Sequence, residues 1–133
     1  MAAEELRSPV ILAHYVNTGA YSGHDWFYET AKWMAAKVSV PVAIHLDHGD
    51  SFERCMEMLK LGFTSIMFDG SALPVEENAA ATEAVARVCR SFGVPLEAEI
   101  GELCRLDDKG NKMGASNIAD PDVVRQYLKL CHP

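Results

Sequence analysis

Long apolar runs are missing from these 133 residues. The nearest approach, Ser8 to Val16, is broken by His14, so no segment reaches the ~20 apolar residues that span a bilayer. Basic charge is also scarce. Twelve Lys and Arg against nineteen Asp and Glu leave a net charge of −7, and the cations form no stripe, which argues against a nucleic-acid partner. No basic-then-apolar leader opens the chain, because residues 1–7 read as an amphipathic helix end carrying Glu4, Glu5 and Arg7. A cytoplasmic location is the expectation. The four cysteines, Cys55, Cys89, Cys104 and Cys131, contain no C-x-x-C pair and are expected to be reduced core thiols. Neither G-x-G-x-x-G nor a P-loop follows any apolar run, which weakens a nucleotide-binding reading.

What is present has the balance of a globular protein, with 49% hydrophobic and 23% charged residues, enough for a single domain over 1–133. Four short aliphatic runs recur at Pro9–Leu12, Pro41–Leu46, Ser65–Phe68 and Pro95–Ile100, each with the character of a buried parallel strand. Helical spacing fills the intervals. Phe27, Ala31, Met34 and Val38 form one apolar face, and Phe52, Cys55, Met56 and Leu59 a second. Val75, Thr82, Val85, Cys89 and Phe92 form a third, and Val124, Tyr127, Leu128 and Cys131 a fourth. Asp50 with Glu53 reads as a capping box, Gly62 and Gly93 as helix stops, and Asp120-Pro121 as an N-cap followed by proline. The order βαβαβαβα predicts a parallel sheet with outer helices, either an open doubly wound sheet or part of a (β/α)8 barrel. A complete barrel takes ~250 residues, so this chain supplies about half.

In such folds the chemistry gathers at the carboxyl ends of the strands. The second strand ends His45-Leu46-Asp47-His48-Gly49, the third runs into Asp69-Gly70-Ser71, and the fourth carries Glu97 and Glu99. Alternation places His45 with Asp47 and Glu97 with Glu99 on shared faces. Each has a structural reading: His45 as a satisfied core imidazole, Asp50 and Asp69 as caps or turn residues, and the glutamates as a solvated edge. Three successive strands ending in this way favour convergence on a divalent cation, because uncompensated buried carboxylates cost several kcal/mol per ion. His14, His24 and His132 lack such company and are expected at the surface or in loops.

Four segments, His45-Leu-Asp-His-Gly49, Gly62–Ser71, Leu73-Pro-Val-Glu-Glu-Asn78 and Glu97-Ala-Glu-Ile-Gly101, in this order and spacing resemble the class II, metal-dependent fructose- and tagatose-bisphosphate aldolases. The resemblance runs from Ala2 to about Leu130 and implies a partial (β/α)8 TIM barrel, from the end of its first helix through the helix after its fifth strand. It implies that Asp47 is the acid/base exchanging a proton with the C4 oxygen and that His48 is a ligand of a catalytic Zn2+. Asp69 and Glu99 match positions that hold a second divalent cation or support the first ligands. The reaction implied is reversible aldol cleavage of fructose or tagatose 1,6-bisphosphate to dihydroxyacetone phosphate and glyceraldehyde 3-phosphate. The full-length protein would be a homo-oligomer, dimer or tetramer.

Three departures from the family pattern stand out. Where the family has a G-G-x-E-D segment whose glutamate abstracts the C3 proton, this chain has Cys104-Arg-Leu-Asp-Asp108, with Asp107 at the glutamate's position. The loop His14–Gly23 replaces a serine-containing substrate loop, leaving Asn17 or Thr18 for that role. The family's two further zinc histidines and its phosphate loops match nothing before Pro133, so the chain is expected to be a fragment that turns over little by itself. Two other readings are a noncatalytic half-barrel used in assembly and a related metal-dependent lyase or epimerase.

Overall fold

Parallel pairing of four short strands sets the architecture, seen here in a computed structural model that describes residues 2–101, 105–106, 112–113 and 118–133. The elements are α1 (Ala2–Glu5), β1 (Val10–Tyr15), α2 (Val16–Ser22), α3 (His24–Ala35), β2 (Val42–Gly49), α4 (Phe52–Leu61) and β3 (Ser65–Phe68). They continue with α5 (Val75–Phe92), β4 (Leu96–Ala98), β5 (Arg105–Leu106), β6 (Lys112–Met113) and α6 (Pro121–Leu130). The main sheet has the order β1-β2-β3-β4, every neighbour parallel. A doubly wound sheet reverses its strand order at a switch point, whereas a barrel wall proceeds in sequence. The chain is therefore an α/β partial TIM barrel. Among the described residues no helix is long and apolar enough to cross a membrane.

Side-chain alternation divides the sheet into two faces. Ile44 and Leu46 of β2 and Ile66 and Phe68 of β3 pack under the helices with Cys55, Met58 and Leu59 of α4, Phe63, and Val85 and Cys89 of α5. Leu46, Met58, Ile66 and Val85 are fully buried, each contributing about 1.5–3 kcal/mol of apolar transfer free energy. Phe27 and Tyr28 of α3 close the same core. A second small cluster joins Ala79, Tyr127 and Cys131 beside Ala98 and Ile100. On the opposite face, which a barrel turns inward, Ile11 is 66% exposed and the Glu97 side chain 64%, while His45 and Met67 are buried.

The helix stops at Gly62 and Gly93 and the Asp120 cap hold, Asp120 accepting the Asp122 N–H at 2.7 Å. Other expectations are corrected. Ser51, and not Asp50, caps α4, its hydroxyl accepting the Arg54 N–H at 3.2 Å. β1 runs on to Tyr15, past the end of its apolar run, because it holds register with β2 from Val10↔Val42 to Tyr15↔Asp47, while β2 ends at Gly49 as expected. The segment read as a loop after β1 is largely the short helix α2, and β5 pairs with β6 in a small antiparallel ladder. His14 is not at the surface. It is 1% exposed on the helix side of β1, stacked on Phe27, with its Nε2 2.9 Å from Nδ1 of His24. His24 opens α3 half-buried, and His132 is exposed. Cys55, Cys89 and Cys131 are buried free thiols, burial pushing Cys55 up to about 12, while Cys104 lies outside the described residues.

Candidate metal centre and active site

The end of β2 breaks the strand's alternation. Register slips between Leu46 and Gly49, and His48 takes a left-handed backbone with φ 55°. Unbroken alternation would turn His48 toward the helices beside Leu46; the irregularity lets its ring meet the ends of β3 and β4 instead. A non-glycine residue at positive φ costs on the order of 1–3 kcal/mol and persists only where its surroundings hold it. Gly49 makes the bend possible, since a Cβ there would lie 2.7 Å from the Met67 carbonyl oxygen.

Nδ1 of His48 is 2.7 Å from Oδ2 of Asp69 and 3.3 Å from Oε2 of Glu99. One donor atom from each of these three half-buried residues lies within 4.8 Å of the others. An imidazole with two carboxylates is a donor set that suits zinc or another divalent cation. Asp69 is fixed by Ser71, whose N–H and hydroxyl donate to Oδ1 at 3.0 and 2.6 Å. Burial pushes the Asp69 carboxyl up, but the hydrogen bonds from Ser71 and His48 outweigh it and hold it below the usual carboxylate range. His48 moves the other way. Its hydrogen bond to Asp69 raises it, burial opposes, and the charges of Asp47, Asp69 and Glu99 add to the rise.

Asp47 stands beside this cluster, its Oδ1 4.0 Å from Nε2 of His48. The Tyr15 ring meets the imidazole edge-on at 5.8 Å, and its hydroxyl accepts the Asn17 amide at 3.1 Å. A cavity of about 290 Å³ opens here, lined by Tyr15, Val16, Asn17, His48, Asp50, Asp69, Ser71 and Ala72. Asn17 thus faces the cluster's cavity, while Thr18 is exposed on α2 and does not line it. Asp107 lies outside the described residues.

The six polar residues expected at one place separate into two groups. His48, Asp69, Glu99 and Asp47 gather at the strand ends, whereas buried His45 bonds Ser65 at 2.7 Å and lies 3.8 Å from the exposed Glu97 carboxylate. His45 is a satisfied strand histidine, one step removed from the cluster. Sequence reasoning passed over Tyr15 and Ser71. Ser71 was visible as the residue two positions after an aspartate, a spacing that favours a side-chain-to-backbone turn.

The family profile described as "Fructose-bisphosphate aldolase class-II" matches residues 1–132. The chain belongs to the class II fructose-bisphosphate aldolase family. Among curated relatives of this aldolase chain, the "Probable fructose-bisphosphate aldolase" of Bacillus subtilis is 45% identical over 134 residues, covering 96% of this chain and 46% of the relative. The "Fructose-bisphosphate aldolase" of Staphylococcus epidermidis is 41% identical over 133 residues, with the same coverage of 96% and 46%. The crystal structure of the YdjI aldolase from Escherichia coli K12 superposes with a TM-score of 0.79 at 31% identity, over 98% of this chain and 45% of that one. This aldolase chain spans about half the length of the curated relatives it matches.

Proposed function

We propose that this chain carries the cation-binding half of a class II ketose-bisphosphate aldolase site, with His48, Asp69 and Glu99 as ligands. The observation that carries the reading is the meeting of their donor atoms within 4.8 Å at the ends of three consecutive strands. A bound zinc ion supplies Lewis acidity toward a ketone oxygen, and a second divalent cation fits the carboxylate-rich side of the same cluster. Asp47, with its carboxylate 36% exposed toward the strand ends, exchanges a proton with the substrate C4 hydroxyl. Of Asn17 and Thr18, Asn17, which lines the cavity beside His48, orients the sugar phosphate. Asp107 stands in for the family's loop base at C3. The reaction is zinc-dependent, reversible cleavage of fructose or tagatose 1,6-bisphosphate into dihydroxyacetone phosphate and glyceraldehyde 3-phosphate, in a cytoplasmic homo-oligomer. The 133 residues alone bind zinc weakly and turn over little, since they span about half of the relatives' length.

A chimera in which this chain replaces the matching part of the Bacillus subtilis relative tests the proposal. It is expected to cleave fructose 1,6-bisphosphate in a zinc-dependent manner and to lose at least 100-fold in kcat on Asp47→Ala. Cleavage that survives both Asp47→Ala and His48→Ala overturns it. One observation favours a purely structural half-barrel instead, namely the apolar exposure of Ile11 and Trp26 beside β1. That reading requires association of the chain without any cation.

A further inference from the structure

Beside the cluster, a chain of hydrogen bonds runs from α6 through α5 to the end of β4. Asn78, in the first turn of α5, is 2% exposed, and Thr82 one turn later and Tyr127 of α6 are buried with it. The Tyr127 hydroxyl donates to Oγ1 of Thr82 at 2.6 Å. Thr82 donates in turn to Oδ1 of Asn78 at 3.1 Å, and Nδ2 of Asn78 donates to the backbone carbonyl of Glu99 at 2.9 Å. The Tyr127 hydroxyl also lies 3.4 Å from Oδ1 of Asn78, so both hydroxyls face the amide oxygen. The order fixes the orientation of the Asn78 amide, because a flipped side chain would set its oxygen against the Glu99 carbonyl oxygen.

The same amide touches the other carboxylate-bearing strand end. Gly70 follows Asp69, and a Cβ on it would lie 2.3 Å from Oδ1 and 2.7 Å from Cγ of Asn78. Only a glycine lets the asparagine press this closely on the backbone between Asp69 and Ser71. Asn78 therefore packs against the end of β3 on one side and hydrogen-bonds the end of β4 on the other. β4 is short, Leu96–Ala98, so Glu99 lies past its last ladder residue and the amide supplies the restraint that the sheet no longer gives.

The structure assigns Asn78 as a positioning residue that sets the separation of Asp69 and Glu99, with Thr82 and Tyr127 holding its amide in the donating orientation. This rests on the reading of His48, Asp69 and Glu99 as a cation site, and it adds a residue outside that ligand set. An aspartate at position 78 keeps the shape but cannot donate to the Glu99 carbonyl in its ionised form.

Two readouts on the full 133-residue chain test the assignment: amide hydrogen exchange over Ala98–Gly101, and binding of Co2+ followed by its ligand-field absorption. Asn78→Asp is expected to speed exchange at Glu99 to Gly101, weaken Co2+ binding at least tenfold and shift the visible bands. Thr82→Val, which leaves the amide in place but removes the nearer of the two hydroxyls that face its oxygen, is expected to move both readouts in the same direction by about threefold. Loss of global stability alone would leave the Co2+ band positions of the bound form unmoved. Should wild type and Asp69→Asn bind Co2+ equally poorly, the cation reading fails, and the exchange rates alone judge the positioning. Exchange at Glu99 to Gly101 that is unchanged in both Asn78→Asp and Thr82→Val overturns the assignment.

Discussion

Nδ1 of His48 and Oδ2 of Asp69 lie 2.7 Å apart, tying the irregular end of β2 to the loop that follows β3. This contact places the His48 ring at the cluster, and it biases the protonation of both partners in opposite directions.

In the metal-free protein, His48 is expected to titrate above the ordinary histidine value of ~6.5. Asp69→Asn removes the largest cause of the rise and leaves burial opposing, so the His48 pKa falls in that variant. Proton NMR of the imidazole across pH 5–9 reads the difference, and an unchanged value contradicts the contact.

The pair of buried His14 and half-buried His24 is expected to make the fold acid-sensitive. Burial lowers both pKa values in the folded state, with repulsion from His24 adding at His14 and Arg54 adding at His24, where Glu57, Asp25 and Asp50 oppose it. A depressed histidine contributes stability that is present above the unfolded value of ~6.5 and lost as pH falls through the folded one. His48, whose pKa is raised, acts in the opposite sense, so the informative quantity is the difference between proteins. Urea unfolding at pH 7.5 and pH 5.5 is expected to show a smaller acid loss for His14→Phe than for wild type. Equal losses rule the pair out as the cause.

Ser51 and Asp50 make a clean comparison. Ser51→Ala removes the hydroxyl that accepts the Arg54 N–H and is expected to cost about 1 kcal/mol, whereas Asp50→Ala changes stability by a few tenths at most. Thermal unfolding of the two variants decides between the residues.

Gly49→Ala sets a methyl group 2.7 Å from the Met67 carbonyl and 3.0 Å from the Cys55 sulfur. Backbone cannot yield as a side chain can, so β2 is pushed off β3, at a cost of about 1–3 kcal/mol. Zinc affinity is expected to fall with it, because His48 moves with the strand. Wild-type stability and affinity in this variant would mean that the bend does not need glycine.

The order of the four sheet strands and the helices that follow them, and the helix stops at Gly62 and Gly93, were legible in the sequence because local apolar periodicity and turn residues encode them, whereas α2 and the β5–β6 ladder were not. Where strands end was less so. β1 continues past its apolar run because β2 supplies its ladder partners, and β4 stops at Ala98, short of the apolar run that ends at Ile100. His14 looked like a surface residue because its partners, His24 and Phe27, arrive from the next helix and become neighbours only on folding. At the site, residue types at the strand ends marked six candidates, and the resemblance to the aldolase family singled out His48, Asp69 and Glu99 as cation ligands. Their grouping apart from His45 and Glu97 depends on the register slip and the positive φ at His48, which alternation alone does not foresee.

Zinc titration of the 133-residue chain by calorimetry, beside His48→Ala and Glu99→Gln, is the most direct measurement of the central claim that these strand ends form a cation site. Saturable binding of zinc by wild type, weakened at least tenfold in both variants, is the predicted result. Binding of equal strength in all three proteins, or none in wild type at millimolar zinc, would contradict it.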